Sequence, residues 1–406
     1  MFEKLQQVYS DAEALELVMR LMAIPGRSGD EAAVMQEIVR HLQQVGVPPA
    51  AIRFDKAHAR TPIDGNTGNL IVKLPARGAG RGEPRRMLLA HTDTVPICVG
   101  CQPKRRGPAI VSANPKTGLG ADDRAGCAVV LATLLAIMRA KTDHPPLTFL
   151  WTVQEEIGLH GARHVALSSL GKPALAFNFD GGSPAQVILG ATGGYRAEIT
   201  ITGLASHAGN KPQAGVSAIE IAALAIADLV DNGWHGRVKK GRQEGTSNVG
   251  VIHGGEATNV VTDHLLIRAE ARSHDSAFRE RIVREMEKAF RRAAKQVKNA
   301  DGTTGQVDFQ GRLDYDSFRL KSNQPAVKAA RAAVLAEQLA PELTVANGGL
   351  DANWLTARGL PTVTLGCGQR NIHTVNEQLD RADYQLARRI ALRLAACPRT
   401  ALPVAN

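Results

Sequence analysis

The chain has 406 residues, 44% of them hydrophobic, 22% charged and only 4% aromatic, which is length enough for two domains with Ala, Val, Leu and Ile filling the cores. No apolar run reaches the ~18 residues of a membrane span, and the N-terminus carries early acids in place of an apolar signal core, so no membrane is expected and the cytoplasm is the expected location. The net charge of +10 is scattered, clustering only at 77–86, 104–106, 238–242 and 279–298, with no zinc finger, aromatic RNA motif or basic zipper, so no nucleic-acid partner is expected.

Residues 11–22 place Ala, Leu, Val and Met on one helical face. Pro25-Gly26 breaks that helix, and Asp30 is the expected cap of a second one running to about Val45 and ended by Gly46. Residues 69–74 read as a strand and 76–86 as a loop. Met-Leu-Leu-Ala-His-Thr-Asp at 87–93 follows. Four apolar residues and then a polar group describe a buried parallel strand with an exposed end. In open α/β sheets ligands gather at the carboxyl ends of such strands. His91 with Asp93 two residues on suits a metal ligand and its orienting partner.

A Pro/Gly loop holds Cys98 and Cys101, read as two loop thiols because no second pair completes a zinc site. The five cysteines, an odd number, argue for reduced thiols. Gly-Leu-Gly-Ala-Asp-Asp-Arg-Ala-Gly at 118–126 opens into a strongly apolar helix over 127–140. Asp122 and Asp123 therefore stand at a helix start, and their negative charge rules out a pyrophosphate fingerprint. Residues 147–153 form another central strand, ending in Glu155-Glu156, whose side chains point in different directions. Residues 174–179 form a third, ending in Asp180.

From about Gly190 the pattern changes to alternating strands at 195–202, 248–252, 257–261, 265–273 and 305–309. Among them lie a loop with Ser-His-Ala-Gly at 206–209 and helices at 216–230 and 276–298. This reads as an inserted α+β domain over 191–320. In the 276–298 helix Glu280, Glu285 and Glu287 interleave with the basic residues, as on a solvated face. Residues 325–339 return to an apolar helix. A glycine-rich turn then leads to Asp351, residues 360–366 form a strand, and a polar loop over 368–377 carries His373 into the final helix. The expected fold class is α/β, a mixed central sheet sandwiched by helices over 1–190 and 321–406, with the inserted domain between.

Two His and several carboxylates at strand ends and helix starts are ligand chemistry for zinc, cobalt or manganese. They are too many for one tetrahedral zinc, and a bridging carboxylate between two ions accounts for the surplus. The motifs His-Thr-Asp at 91–93, Gly-Ala-Asp-Asp-Arg-Ala-Gly at 120–126, Glu-Glu-Ile-Gly at 155–158, Phe-Asp-Gly-Gly at 179–182, Ser-His-Ala-Gly at 206–209 and Ile-His-Thr at 372–374 together resemble the dizinc exopeptidases. That group includes the aminoacylases and carboxypeptidase G; within it the chain looks most like the peptidase T-like tripeptide aminopeptidases.

The resemblance implies that Asp122 bridges two divalent ions, zinc before cobalt or manganese. His91 and Asp180 would complete one site, and Glu156 and His373 the other. Asp93 would fix the tautomer of His91, Asp123 would cap the helix, and Arg124 would stand where the family often has Lys. Glu155 would be the general base that takes a proton from the attacking water and returns it to the leaving amine. In the inserted domain, acting as a lid and homodimer surface, His207 would supply an oxyanion donor. Arg272 would grip a peptide carboxylate, with Asn259 and Asp351 as further substrate contacts. The implied substrate is a short peptide. The alternative is a deacylase or carboxypeptidase-like amidohydrolase acting on N-acyl amino acids.

Overall fold

The computed structural model describes residues 5 and 7–396; most of the N-terminal segment read for a signal and Cys397 lie outside them. The chain divides into two compact units, the described residues within Met1–Gly190, Arg319–Ala346 and Leu350–Asn406, and those within Ala191–Phe318 and Asn347–Gly349. No helix among the described residues is long and apolar enough to cross a membrane.

The first unit opens with α1 (Asp11–Ala23), whose start carries a capping box between Ser10 and Glu13. α2 (Ala32–Gln44) begins one residue later than expected, with Glu31 at the cap position. Asp30 does not cap it, because its carboxylate faces Arg27 at 2.9 Å. The Ala32 amide donates instead to Asn66 Oδ1, supplied by a distant loop. The strands are β1 (Ile52–Phe54), β2 (Leu70–Leu74), β3 (Arg86–His91), β4 (Pro103–Arg106), β5 (Ala109–Ser112), β6 (Leu147–Thr152), β7 (Leu175–Phe179) and β8 (Gln186–Ala191), with helix α3 (Ala121–Ala140) between β5 and β6 and α4 (His160–His164) after β6. The β4–β5 hairpin replaces part of the expected loop after Asp93.

The second unit is a five-stranded antiparallel sheet and two helices. Its members are β9 (Gly193–Thr202), β10 (Ser206–His207), α5 (Ala218–Asp231), β11 (Gly236–Lys240), β12 (Gln243–His253), β13 (Val260–Val261), β14 (His264–Ser273), α6 (Ser276–Gln296) and β15 (Gln306–Tyr315). The sheet order is β11-β12-β14-β9-β15. Its core joins Ile199 and Ile201 of β9, Leu265 and Ile267 of β14, Ile221 of α5 and Met286 and Phe290 of α6. The strand expected at 257–261 is shorter, only the two residues of β13, which pair with β10. The basic face of α6 is laced with Lys288–Glu285 and Arg291–Glu287 ion pairs at 3.0 and 2.8 Å, as expected of a solvated face.

The chain closes the first unit with α7 (Pro325–Leu335), β16 (Glu342–Ala346), α8 (Asp351–Ala357), β17 (Thr362–Leu365), β18 (Gln369–Arg370), β19 (Gln378–Asp380) and α9 (Arg381–Ala396).

 In the first unit's sheet the order runs β1-β2-β6-β3-β7-β17-β8, with β16 pairing β8. The neighbours β6, β3, β7 and β17 are mutually parallel, so their carboxyl ends lie along one edge. Each is buried along its whole length, which explains why these strands read as unbroken apolar runs. Successive side chains go to opposite faces. Met87 and Leu89 join Leu150, Ala162 of α4 and Leu355 of α8 in one core cluster, while α3 covers the other side of β3 and β7. Apolar around its whole circumference, α3 is buried almost throughout.

Candidate metal centre

Four chain segments meet at the carboxyl edge of the parallel strands. His91 ends β3, Glu155 and Glu156 follow β6, Asp180 follows β7, and Asp122 stands where the chain enters α3. His373 comes from the loop between β18 and β19 and holds a positive φ of 63°.

Two sets of side chains gather there. In one, His91, Asp122 and Asp180 each offer a ligand atom, and these atoms lie within 4.8 Å of one another; in the other, Asp122, Glu156 and His373 do the same. Asp122 belongs to both. Its Oδ1 lies 3.1 Å from His91 Nε2 and its Oδ2 lies 3.1 Å from His373 Nε2. His373 Nε2 also lies 3.0 Å from Glu156 Oε2.

Asp93 is fully buried and does more than face a histidine. Its carboxylate accepts hydrogen bonds from the Ser28 hydroxyl at 2.6 Å and from the amides of Glu155 and Glu156 at 2.9 and 3.1 Å. His91 Nδ1 lies 3.1 Å from the Asp93 carbonyl oxygen and 3.4 Å from its carboxylate. With Nδ1 turned toward Asp93, Nε2 faces Asp122.

Asp122 and Asp123 have non-helical backbone angles, so the regular turns of α3 begin after them. Asp123 points away from its neighbour's partners. It accepts from the amides of Gly126 and His91 and from Gln369 Nε2, the first of these being the bond of a helix cap. Arg124 is buried, with its guanidinium on the carbonyls of Leu21 and Gly26.

The electrostatics show what this arrangement lacks. Burial, followed by the Asp122 charge, pushes Asp180 up to about 8. Burial and the neighbouring Asp180, Glu156 and Asp351 push Glu155 well above the usual carboxylate range despite His91 nearby. Glu156 rises to about 6, mainly through burial. Asp122 is held low, its two imidazole partners outweighing its desolvation, and so is Asp93, through His91, Ser28 and the Glu155 amide. His373 is raised to about 10 by Asp122 and Glu156. Two imidazoles cannot neutralise so many buried carboxylates, and bound cations would supply the missing positive charge. The oxygen and imidazole donors fit divalent ions.

Asp351 stands near Glu155 and Asp180, and its charge adds to the rise of both. Asp351 is 1% exposed and accepts a hydrogen bond from the Thr152 hydroxyl. Burial pushes its carboxyl up to about 6. In the second unit, His207 is exposed on β10, and its Nδ1 accepts from the amides of Gly209 and Asn210, both at 3.1 Å. That fixes the neutral tautomer with the proton on Nε2, a free donor. Asn259 is exposed, and its carbonyl accepts the Ala208 amide. Arg272, on β14, makes a bidentate pair with Glu270, both bonds 3.0 Å.

Three further side chains support the centre, the half-buried Ser28 on Asp93 and the buried Gln369 on Asp123 and Glu377 on the segment before Asp122. Ser28 and Glu377 belong to loops and Gln369 to the two-residue β18, none long enough to show periodicity, and only their position next to a ligand-bearing stretch could have marked them. A cavity of about 450 Å³ opens beside Glu156, walled by Ile63, Val95, Pro96 and Ile157, with Ser28 and Asp64 on its polar side.

Strand-end acids and histidines around an α/β sheet form a candidate centre for divalent ions. The match to the model of peptidase family M20/M25/M40 covers residues 87–396, and the chain belongs to that family. It is 30% identical to the Bacillus subtilis (strain 168) protein YqjE over 372 residues, 91% of this chain and 94% of that one. The crystal structure of aminopeptidase PepT from Bacillus cereus ATCC 10987 is similar at 30% identity and a TM-score of 0.79, covering 95% of this chain and 98% of that one. A tripeptidase from Staphylococcus aureus subsp. aureus mu50 is similar at 28% identity and a TM-score of 0.83, with the same coverage. The chain is a peptidase of this family, with the mixed central sheet and flanking helices expected of it.

Proposed function

We propose that the protein is an aminopeptidase that removes the N-terminal residue from tripeptides and uses two divalent ions, zinc before cobalt or manganese. The observation that carries this reading is Asp122, whose two oxygens face different histidines, each 3.1 Å away. Asp122 would bridge the ions, with His91 and Asp180 holding one and Glu156 and His373 the other. Two such ions lower the pKa of a water and polarise a carbonyl oxygen.

Glu155 is the general base. Its carboxylate, raised by burial, takes a proton from the attacking water and returns it to the leaving amine. Asp93 holds the Glu155–Glu156 backbone through two amides and keeps the His91 ring turned. His207, with its proton on Nε2, is the donor for the developing oxyanion. Arg272 and Asn259 are assigned to the substrate, with Arg272 exchanging Glu270 for a peptide carboxylate. The second unit, over 191–320, serves as lid and homodimer surface. The cavity beside Glu156, lined by Arg27, Asp30 and Asp64 as well as Ile63, Val95 and Ile157, is assigned to a substrate side chain. The four cysteines among the described residues are all unpaired, in keeping with a reducing cytoplasm.

The test is a substrate series: di-, tri- and tetrapeptides with free N-termini against N-acetyl amino acids. Tripeptides should turn over fastest. Hydrolysis confined to the blocked compounds would replace this reading with a deacylase.

A further inference from the structure

We propose that Glu377 is a positioning residue that couples the two metal-binding sets, fixing from the His373 loop the backbone on which Asp122 stands. This rests on the two-ion reading above. Glu377 is 2% exposed. Its Oε2 accepts the amides of Leu119 and Gly120 at 2.8 and 2.7 Å, and its Oε1 accepts the amide of Asp122 at 3.0 Å. The Cys98 thiol donates to Oε2 at 3.4 Å. One carboxylate therefore gathers three amides of the segment that leads into Asp122, in an anion-binding concavity of the backbone. Each bond is charge-assisted and stronger than a neutral one. The approach leaves no spare room: a Cβ on Gly118 would lie 2.9 Å from both Glu377 Oε2 and Cys98 Sγ.

The other end of this link is equally tied. The Thr374 hydroxyl donates to the Asn371 carbonyl at 2.7 Å and accepts the Asn376 amide at 3.1 Å, and the Glu377 amide donates to the Thr374 carbonyl at 3.2 Å. The short loop is knitted together, so anchoring Glu377 also anchors His373. Asp122 is common to both sets, and His373 completes the second. Loosening Glu377 should therefore weaken both ions together. Loss of a ligand belonging to a single set, such as His91, should fall mainly on one.

The experiment strips the full-length protein with a chelator and titrates it with Co(II) and Zn(II), following stoichiometry, affinity and the visible Co(II) spectrum. Glu377→Gln removes the charge and turns an NH2 group toward the amides. It should weaken both ions by about 10–100-fold, the usual effect of losing an outer-shell partner, and alter the Co(II) spectrum. Glu377→Asp keeps the charge but is one methylene short, and should fall between Gln and the wild type. The rise in Tm on adding metal should shrink in the same order. Wild-type affinity for both ions and an unchanged Co(II) spectrum, even with a lower apo Tm, would reduce Glu377 to a packing residue and overturn the proposal. If Glu377→Gln does not fold, wild-type affinity in Glu377→Asp overturns it equally. The wild-type titration answers separately for the two-ion reading: a single ion per chain defeats that reading, whatever the variants do.

Discussion

The sheets of the two units bury their residues in different ways. β3, β6 and β7 are buried at every position, whereas β9 and β14 alternate between buried and accessible residues. A strand covered on both faces delivers its terminal residue into a dry environment. The acids after β6 and β7 are therefore raised by desolvation, and they need a counter-charge. A strand with one wet face imposes no such demand, and the candidate side chains of the second unit, His207 and Asn259, are exposed. The difference separates side chains whose charge is set by burial from side chains that stand in solvent.

Three substitutions sharpen that contrast. The largest effect belongs to Glu155→Gln, which keeps the shape and removes the proton acceptor. It should lower kcat by about 10²–10⁴-fold while metal content, measured by elemental analysis, stays at the wild-type level. Retained turnover would remove the base assignment. Next is Phe290→Ala in the core of the second unit, where the ring is fully buried. Denaturant unfolding should show a loss of about 3–5 kcal/mol, and metal content in the folded protein should not change. The smallest is His207→Ala, with a loss of about 10²–10³ in kcat and little change in stability or metal content, since the ring is exposed. A metal deficit in this variant would make His207 a contributor to metal binding and remove the oxyanion-donor assignment.

The strands of the first unit were legible because burial on both faces writes apolar runs that end in polar groups. The same pattern marked His91, Asp122, Glu155, Glu156, Asp180 and His373, which the fold gathers at one edge. What escaped notice has physical reasons. The β4 strand is Pro-Lys-Arg-Arg, with no apolar face to reveal it, and β11 contains a single buried residue, Val238. Asp30 has the chemistry of a helix cap, yet Arg27 takes it and Asn66 does the work from 34 residues away. Glu377 acts on amides 255 to 258 positions distant; no local pattern encodes such a contact.

The most direct test of the central claim is a metal-loaded crystal structure with anomalous data. Two divalent ions ~3.5–4 Å apart, with one oxygen of Asp122 on each, His91 and Asp180 on the first and Glu156 and His373 on the second, is the predicted result. A single ion, or two ions without Asp122 between them, would contradict it.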